Sequence, residues 1–278
     1  MNNFSRLCPD IILTHILPRL GGETLIMLSS VSSEFRHMIC NDNEDLWWNT
    51  CTSTWPSLLC IPIQKIISKF FSGYRSFFSD AFPAIHHRNH YTPPPQEYSF
   101  ICLFHVCLQG EREPLFASID LNIIKECYPD VPYKVYSKYD SPWGNLNFKY
   151  MHVKEEGCEE YLKENLRLSW VVIETHQKRA GSLFCSSVKP VSVEHVSASL
   201  ETKVVYETMM PGLSEDYTEM VKCKVKVTCH RKGGDDGFYV NNLELQMKDM
   251  NGKSVWEKHG TKVLLNVIEN GERKKKER

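Results

Sequence analysis

The sequence predicts an α+β chain of more than one domain: a small helical amino-terminal domain followed by an antiparallel, β-rich, sandwich-like carboxy-terminal domain. Three observations carry this. Apolar residues recur at helical spacing through the first 55 positions. Residues 84–96 are polar, with three histidines in five positions and the run Pro93-Pro94-Pro95. From Glu97 the apolar pattern changes to period two. The expected organisation is a helical domain over 1–55, a helical and aromatic connector with a proline-rich linker over 56–96, a β-rich domain over 97–269 and a charged tail over 270–278.

The first helix starts at Pro9, whose missing N–H costs nothing in a first turn, and Asp10 sets negative charge at the positive end of the helix dipole. Ile12, Ile16 and Leu20, with Leu13 and Leu17, give the apolar stripe. Pro18 and Gly21-Gly22 stop it. Leu25, Leu28 and Val31 carry a second helix, and Ser32 caps a third that holds Phe35, Met38 and Ile39. Asn41-Asp42-Asn43 breaks the chain, and Leu46, Trp47 and Trp48 begin a fourth. Pro62 opens a further helix with Ile63, Ile66, Ile67 and Phe70, and Gly73 ends it. Tyr74, Phe77, Phe78 and Phe82 are too apolar for a free linker and are expected to pack on neighbouring helices or on the next domain.

In the second half, Tyr98–Leu108 and Leu166–Ile173 are dense strand-forming runs. Val221, Cys223, Val225, Val227 and Cys229 alternate with Lys222, Lys224, Lys226 and Thr228, so one face meets a core and the other water. Gly233–Gly237 turns the chain into a strand carrying Val240, Leu243, Leu245 and Met247. Asn251-Gly252 signals a type I′ hairpin turn into a partner strand over Lys253–Val267. Pro190–Val196 and Lys203–Thr208 are further strands, and Asp120, Leu121, Ile124 and Cys127 suggest one interrupting helix. Loops that could meet a partner are expected around Asp140–Asn147, Gly181–Ser187, Pro211–Asp216 and Lys232–Gly237.

Composition narrows the function. The 278 residues are 42% hydrophobic and 24% charged, with a formal net charge of −1, so no global field recruits nucleic acid or an anionic membrane. No apolar run is long enough for a membrane helix, and no leader peptide is evident. Eleven cysteines without a C-x-x-C pair suit reduced thiols in the cytoplasm or nucleus. His86, His87 and His90 lack the cysteines or carboxylates that would complete a metal site, and a solvated linker is the simpler reading. No nucleophile elbow, phosphate loop or dinucleotide fingerprint occurs, so no catalytic residue, cofactor or metal is expected. The lysine stripe reads as a solvated edge or face, and Glu272–Arg278 as a frayed end, with nuclear import as the alternative.

Pro9-Asp10, Ile16-Leu17, Leu20, Leu25, Val31-Ser32, Phe35 and Leu46-Trp47 together resemble an F-box, covering roughly residues 4–52. Cys8 stands where the family has leucine, and Phe35 where it commonly has tryptophan. Cys51–Leu58 and Gly73–Pro83 look like one small group of plant F-box proteins. The resemblance implies a non-catalytic substrate-receptor subunit of an SCF-type cullin–RING ubiquitin ligase. Leu7, Pro9, Ile16, Leu17, Leu20, Leu25, Val31, Phe35, Leu46 and Trp47 would then bind a Skp-type adaptor and, through it, a cullin. So many apolar residues in so few short helices are expected to leave an exposed patch. The β-rich half would hold an unknown target protein. The alternative is a lectin-like or small-ligand β domain with a secondary F-box, using Trp143, Trp170 and Trp256 as an aromatic platform.

Overall fold

The structure is a computed structural model, which describes residues 8–40, 43–82, 85–88, 99–111, 114–120, 133–136, 151–152, 157–185, 188–196, 201–212, 220–231, 237–255 and 258–273. The chain forms two compact units, Met1–Ser79 and Asp80–Arg278.

The first unit is helical. Helix α1 (Pro9–Ile11) widens into a π turn over Ile12–Ile16 and tightens to a 3₁₀ turn over Leu17–Arg19, where Pro18 has no N–H to continue the α pattern. Then come α2 (Gly22–Val31), α3 (Ser33–Cys40), α4 (Glu44–Thr54), a 3₁₀ turn over Pro56–Leu59, α5 (Ile61–Ile67) and α6 (Gly73–Ala81). Ser32 Oγ faces the Phe35 N–H at 3.5 Å, and Asn43 Oδ1 accepts from the Leu46 N–H at 3.3 Å, each at the start of a helix. Gly73 does not simply end a helix; with φ at +51° it turns the chain into α6.

The aromatic residues expected to pack on the helices do so. Trp47 meets Phe78 at 5.5 Å, and Trp55 meets Phe77 and Phe78 at 5.4 and 5.5 Å. Trp47 Nε1–H donates to the Ile39 carbonyl at 2.8 Å, so its one polar atom is satisfied inside the core. Gly22 lies directly against the Phe78 ring: a Cβ there would come within 2.1 Å of it, so α2 approaches this closely only through glycine.

The second unit is β-rich, as expected. A four-stranded antiparallel sheet contains β2 (Phe100–Leu108), β3 (Phe116–Asp120), β6 (Leu166–Glu174) and β7 (Arg179–Phe184) in the order β3-β2-β6-β7. A six-stranded sheet contains β4 (Tyr133–Tyr136), β5 (Met151–His152), β8 (Ser192–Val196), β9 (Glu201–Pro211), β10 (Met220–Arg231) and β11 (Gly237–Asp249). Its order is β4-β11-β10-β9-β8, and β5 also pairs with β11. The two sheets share one core: Phe104 stacks on Trp170 at 5.2 Å, Trp170 on Phe184 at 6.4 Å, and Phe184 meets Tyr206 edge-on at 6.4 Å. Helix α7 (Cys158–Asn165) precedes β6. Helix α8 (Lys258–Asn270) adds Val263, Leu264, Leu265, Val267 and Ile268 to the core.

Several local expectations are corrected. Asn251-Gly252 does turn the chain, but only Gly252 takes a positive φ (+83°), and the Asp249 N–H bonds the Lys253 carbonyl across a three-residue loop. Asp249 Oδ1 accepts from the Asn251 and Lys253 N–H groups, which fixes that loop. The partner strand expected over Lys253–Val267 stops at Val255, and α8 follows; Val263, Leu264, Val267 and Ile268 fall on one side of a 3.6-residue helix. Ile85–Arg88, expected as solvated linker, is strand β1, paired with β12 (Gly271–Arg273) at the start of the expected tail. Asp120 ends a strand instead of opening a helix, and Leu121, Ile124 and Cys127 lie outside the described residues. Gly181–Phe184, expected as loop, is buried strand β7. The helix α7 and strands β3, β4, β5 and β7 were not foreseen from periodicity.

His105 in β2 is 2% exposed, and burial pushes its imidazole down to about 3. The unfolded chain therefore takes up this proton below about pH 6.5, while the folded chain stays neutral until about pH 3, so stability is full above pH 6.5 and falls as pH drops. The expected contribution to acid destabilisation between pH 6.5 and 5 is about 2 kcal/mol. Urea unfolding of the wild type and of His105→Gln over this range checks it: the substituted chain should lose less stability on acidification, and parallel losses would contradict the assignment.

Candidate partner-binding site

The helical unit sorts its apolar residues into two sets. Leu17, Leu25, Leu46 and Trp47 are 0–3% exposed and form its core with Ile12, Ile39, Trp55 and the aromatic residues of α6. Part of the apolar patch expected at the surface is therefore interior. The reason is that residues 55–78 bring Trp55, Leu58, Ile63, Phe70, Tyr74, Phe77 and Phe78 to cover it. Ile16, Leu20 and Phe35 are half-buried, Pro9 is exposed, and Leu7 lies outside the described residues.

What remains outward among the residues of α1 and α2 is a smaller set. Val31 is 75% exposed and Met27, one turn earlier on α2, is 53% exposed; Ile11 on α1 is 45% exposed. Met27 and Val31 are four residues apart and share one side of the helix, opposite the buried Gly22 and Leu25. Sequence reading passed over Met27 and Ile11 because they fall off the apolar stripe it followed, and that is the signal that marks them as outward. Leu59, Ile61 and Phe71 are exposed as well, around α5.

Among the described residues no group of three or more histidine, cysteine or acidic side chains could hold a metal ion. Cys102, Cys223 and Cys229 are fully buried; burial raises the Cys223 thiol, and pushes that of Cys229 up to about 12, so both stay protonated. Lys222, Lys224 and Lys226 face outward from β10, an inner strand of the six-stranded sheet, so the stripe is a face and not an edge. Glu207 on β9 lies 3.4 Å from Lys222 and 3.8 Å from Lys224, and Glu244 on β11 pairs with Lys226, so two carboxylates offset most of the charge of the three lysines. Trp170 is fully buried between Phe104 and Phe184 and offers no sugar platform; Trp143 and Trp256 lie outside the described residues. A cavity of about 190 Å³ lies between the first turn of α7 and His195, Thr202 and Phe238. Of the expected recognition loops, Asp140–Asn147 and residues 213–219 and 232–236 lie outside the described residues.

The two sets predict opposite responses to the same substitution. Leu17→Asp buries a carboxylate without a partner and should cost about 4 kcal/mol, enough to unfold the helical unit. Val31→Asp should change stability by no more than about 0.5 kcal/mol. Circular dichroism on thermal unfolding of both variants checks this, and a large loss in Val31→Asp would mean that the residue is packed.

Comparison with known proteins gives three relatives, all from Arabidopsis thaliana. F-box protein At3g44326 is 28% identical over 93% of this chain and 71% of its own length. F-box protein At2g27310 is 25% identical over 96% of this chain and 80% of its own, and Probable F-box protein At2g36090 is 29% identical over 96% and 77%. No protein-family model matches the chain, and no solved structure matches it. The likeness runs through the helical unit and the β-rich unit alike, and it bears out the resemblance carried by residues 4–52: over nearly its whole length the chain is similar to plant F-box proteins.

Proposed function

We propose that the chain is a substrate-receptor subunit of an SCF-type cullin–RING ubiquitin ligase. In this reading the helical unit docks on a Skp-type adaptor, which docks on a cullin, and the β-rich unit holds a target protein. The observation that carries it is the outward apolar pair Met27 and Val31 on one side of α2, with Ile11 on α1 exposed as well. The similarity to three F-box proteins supports it. The buried residues of the F-box pattern then act indirectly: Leu17, Leu25, Leu46 and Trp47 fix the helices whose outer sides meet the adaptor.

The chain itself would do no chemistry. Holding a target beside the ubiquitin-charged enzyme raises the effective concentration of the target lysine, and that proximity is the catalytic contribution. The cytoplasm and nucleus are where such a complex would work. The lectin-like alternative loses one of its three tryptophans, because Trp170 is core.

Pull-down of a Skp-type adaptor and cullin by the full chain tests the proposal. Binding by the wild type, lost at least tenfold in a folded Met27→Asp/Val31→Asp chain, is expected, since burying two unpaired carboxylates at an interface is costly. Equal binding by the folded double variant would remove this face from the interface. No binding by the wild type would overturn the receptor reading.

A further inference from the structure

Helix α7 is held very differently at its two ends. At its carboxy-terminal end Arg167, 5% exposed, donates through Nη1 to the Leu166 carbonyl and through Nη2 to the Glu164 carbonyl and Gln109 Oε1. Lys189 pairs with Glu164 there, and Leu162 is fully buried. These bonds satisfy carbonyls that a helix end leaves without partners. At the amino-terminal end the N-cap is Gly157, which makes no side-chain capping bond and sits at φ +79°, with no atom of the described residues within 4 Å of where a Cβ would be.

That loosely held end lies on the edge of the six-stranded sheet. Among the described residues, strand β8 ends the sheet order and pairs only with β9. Just before the strand begins, the Val191 N–H donates to the Val205 carbonyl at 2.7 Å. His195 turns its N–H away from β9 and donates it to Glu159 Oε1 at 3.1 Å. The Glu159 carboxylate thus fills the place that the carbonyl of another strand would take. Behind it, with His195 Nδ1 3.2 Å from Thr202 Oγ1, is the 190 Å³ cavity, whose wall includes Cys158.

We propose that the first turn of α7 is a lid over this cavity, hinged at Gly157 and latched by the Glu159 carboxylate on the His195 N–H. Opening the latch frees the outward N–H of β8 and admits solvent and small solutes to Cys158, while Arg167, Lys189 and the buried Leu162 keep the rest of α7 in place. The lid does not depend on the receptor reading: it concerns the β-rich unit alone.

Two readouts on the full chain test it: hydrogen exchange at the His195 amide, and alkylation of Cys158 by iodoacetamide followed by peptide mass spectrometry. Glu159→Ala should raise both rates about fivefold, the loss of one charge-assisted hydrogen bond that is partly screened by water. Glu159→Gln keeps an acceptor and should stay within about twofold of wild type. Cys102 and Cys223, fully buried elsewhere, serve as internal references. Unchanged rates in Glu159→Ala would overturn the latch. A rise shared equally by Cys102 and Cys223 would overturn it too, since that reports general loosening of the fold.

Discussion

Burial of aromatic side chains is the constraint on which the helical unit rests. Its helices are short, of about two or three turns, and helices of that length are not stable alone. They persist because Trp47 and Trp55 meet Phe77 and Phe78, with Phe70 edge-on to Phe77 at 5.9 Å. The Cys51 thiol donates to the Tyr74 carbonyl at 3.3 Å, tying α4 to α6 inside this cluster, and burial raises the thiol so that it remains a donor. Gly22 admits α2 against Phe78. The outward set of Met27 and Val31 exists only because this cluster fixes which side of α2 faces in.

The β-rich unit solves a different problem. Two antiparallel sheets place their inward side chains in one core and leave an outer face that must tolerate water. On β10 that face is Lys222, Lys224 and Lys226, and glutamates at registered positions of the neighbouring strands answer them. Such pairs contribute little to stability, but they keep a lysine row from becoming a basic patch. At β8 the His195 N–H is taken by the Glu159 carboxylate of α7, so a side chain occupies a backbone donor that another strand could pair with.

Much of this was legible in the sequence, for reasons that differ between elements. The strands β6, β9, β10 and β11 announce themselves because their residues alternate or are continuously β-branched and aromatic. Helices α2–α4 follow from the apolar rhythm, from Ser32 at the start of α3 and from the break at Asn41-Asp42-Asn43 before α4. Lys258–Asn270 was misread because Asn251-Gly252 signals a hairpin so strongly that the following valines and leucines looked like its second strand; the three-residue loop forms, but pairing ends at Val255. Short β1, β4 and β12 carry too few residues for any period to show, and long-range pairing creates them. For the candidate site, the sequence indicated which residues are apolar but not which are outward. That division depends on aromatic residues up to Phe78, well beyond the F-box pattern itself.

In the proposed receptor the helical unit, and not the β-rich unit, meets the adaptor. Hydrogen exchange of the full chain with and without a purified Skp-type adaptor tests it most directly. Added protection confined to residues 9–40, with residues 201–249 unchanged, is the result this account predicts. Protection appearing in the β-rich unit, with none in residues 9–40, would contradict it.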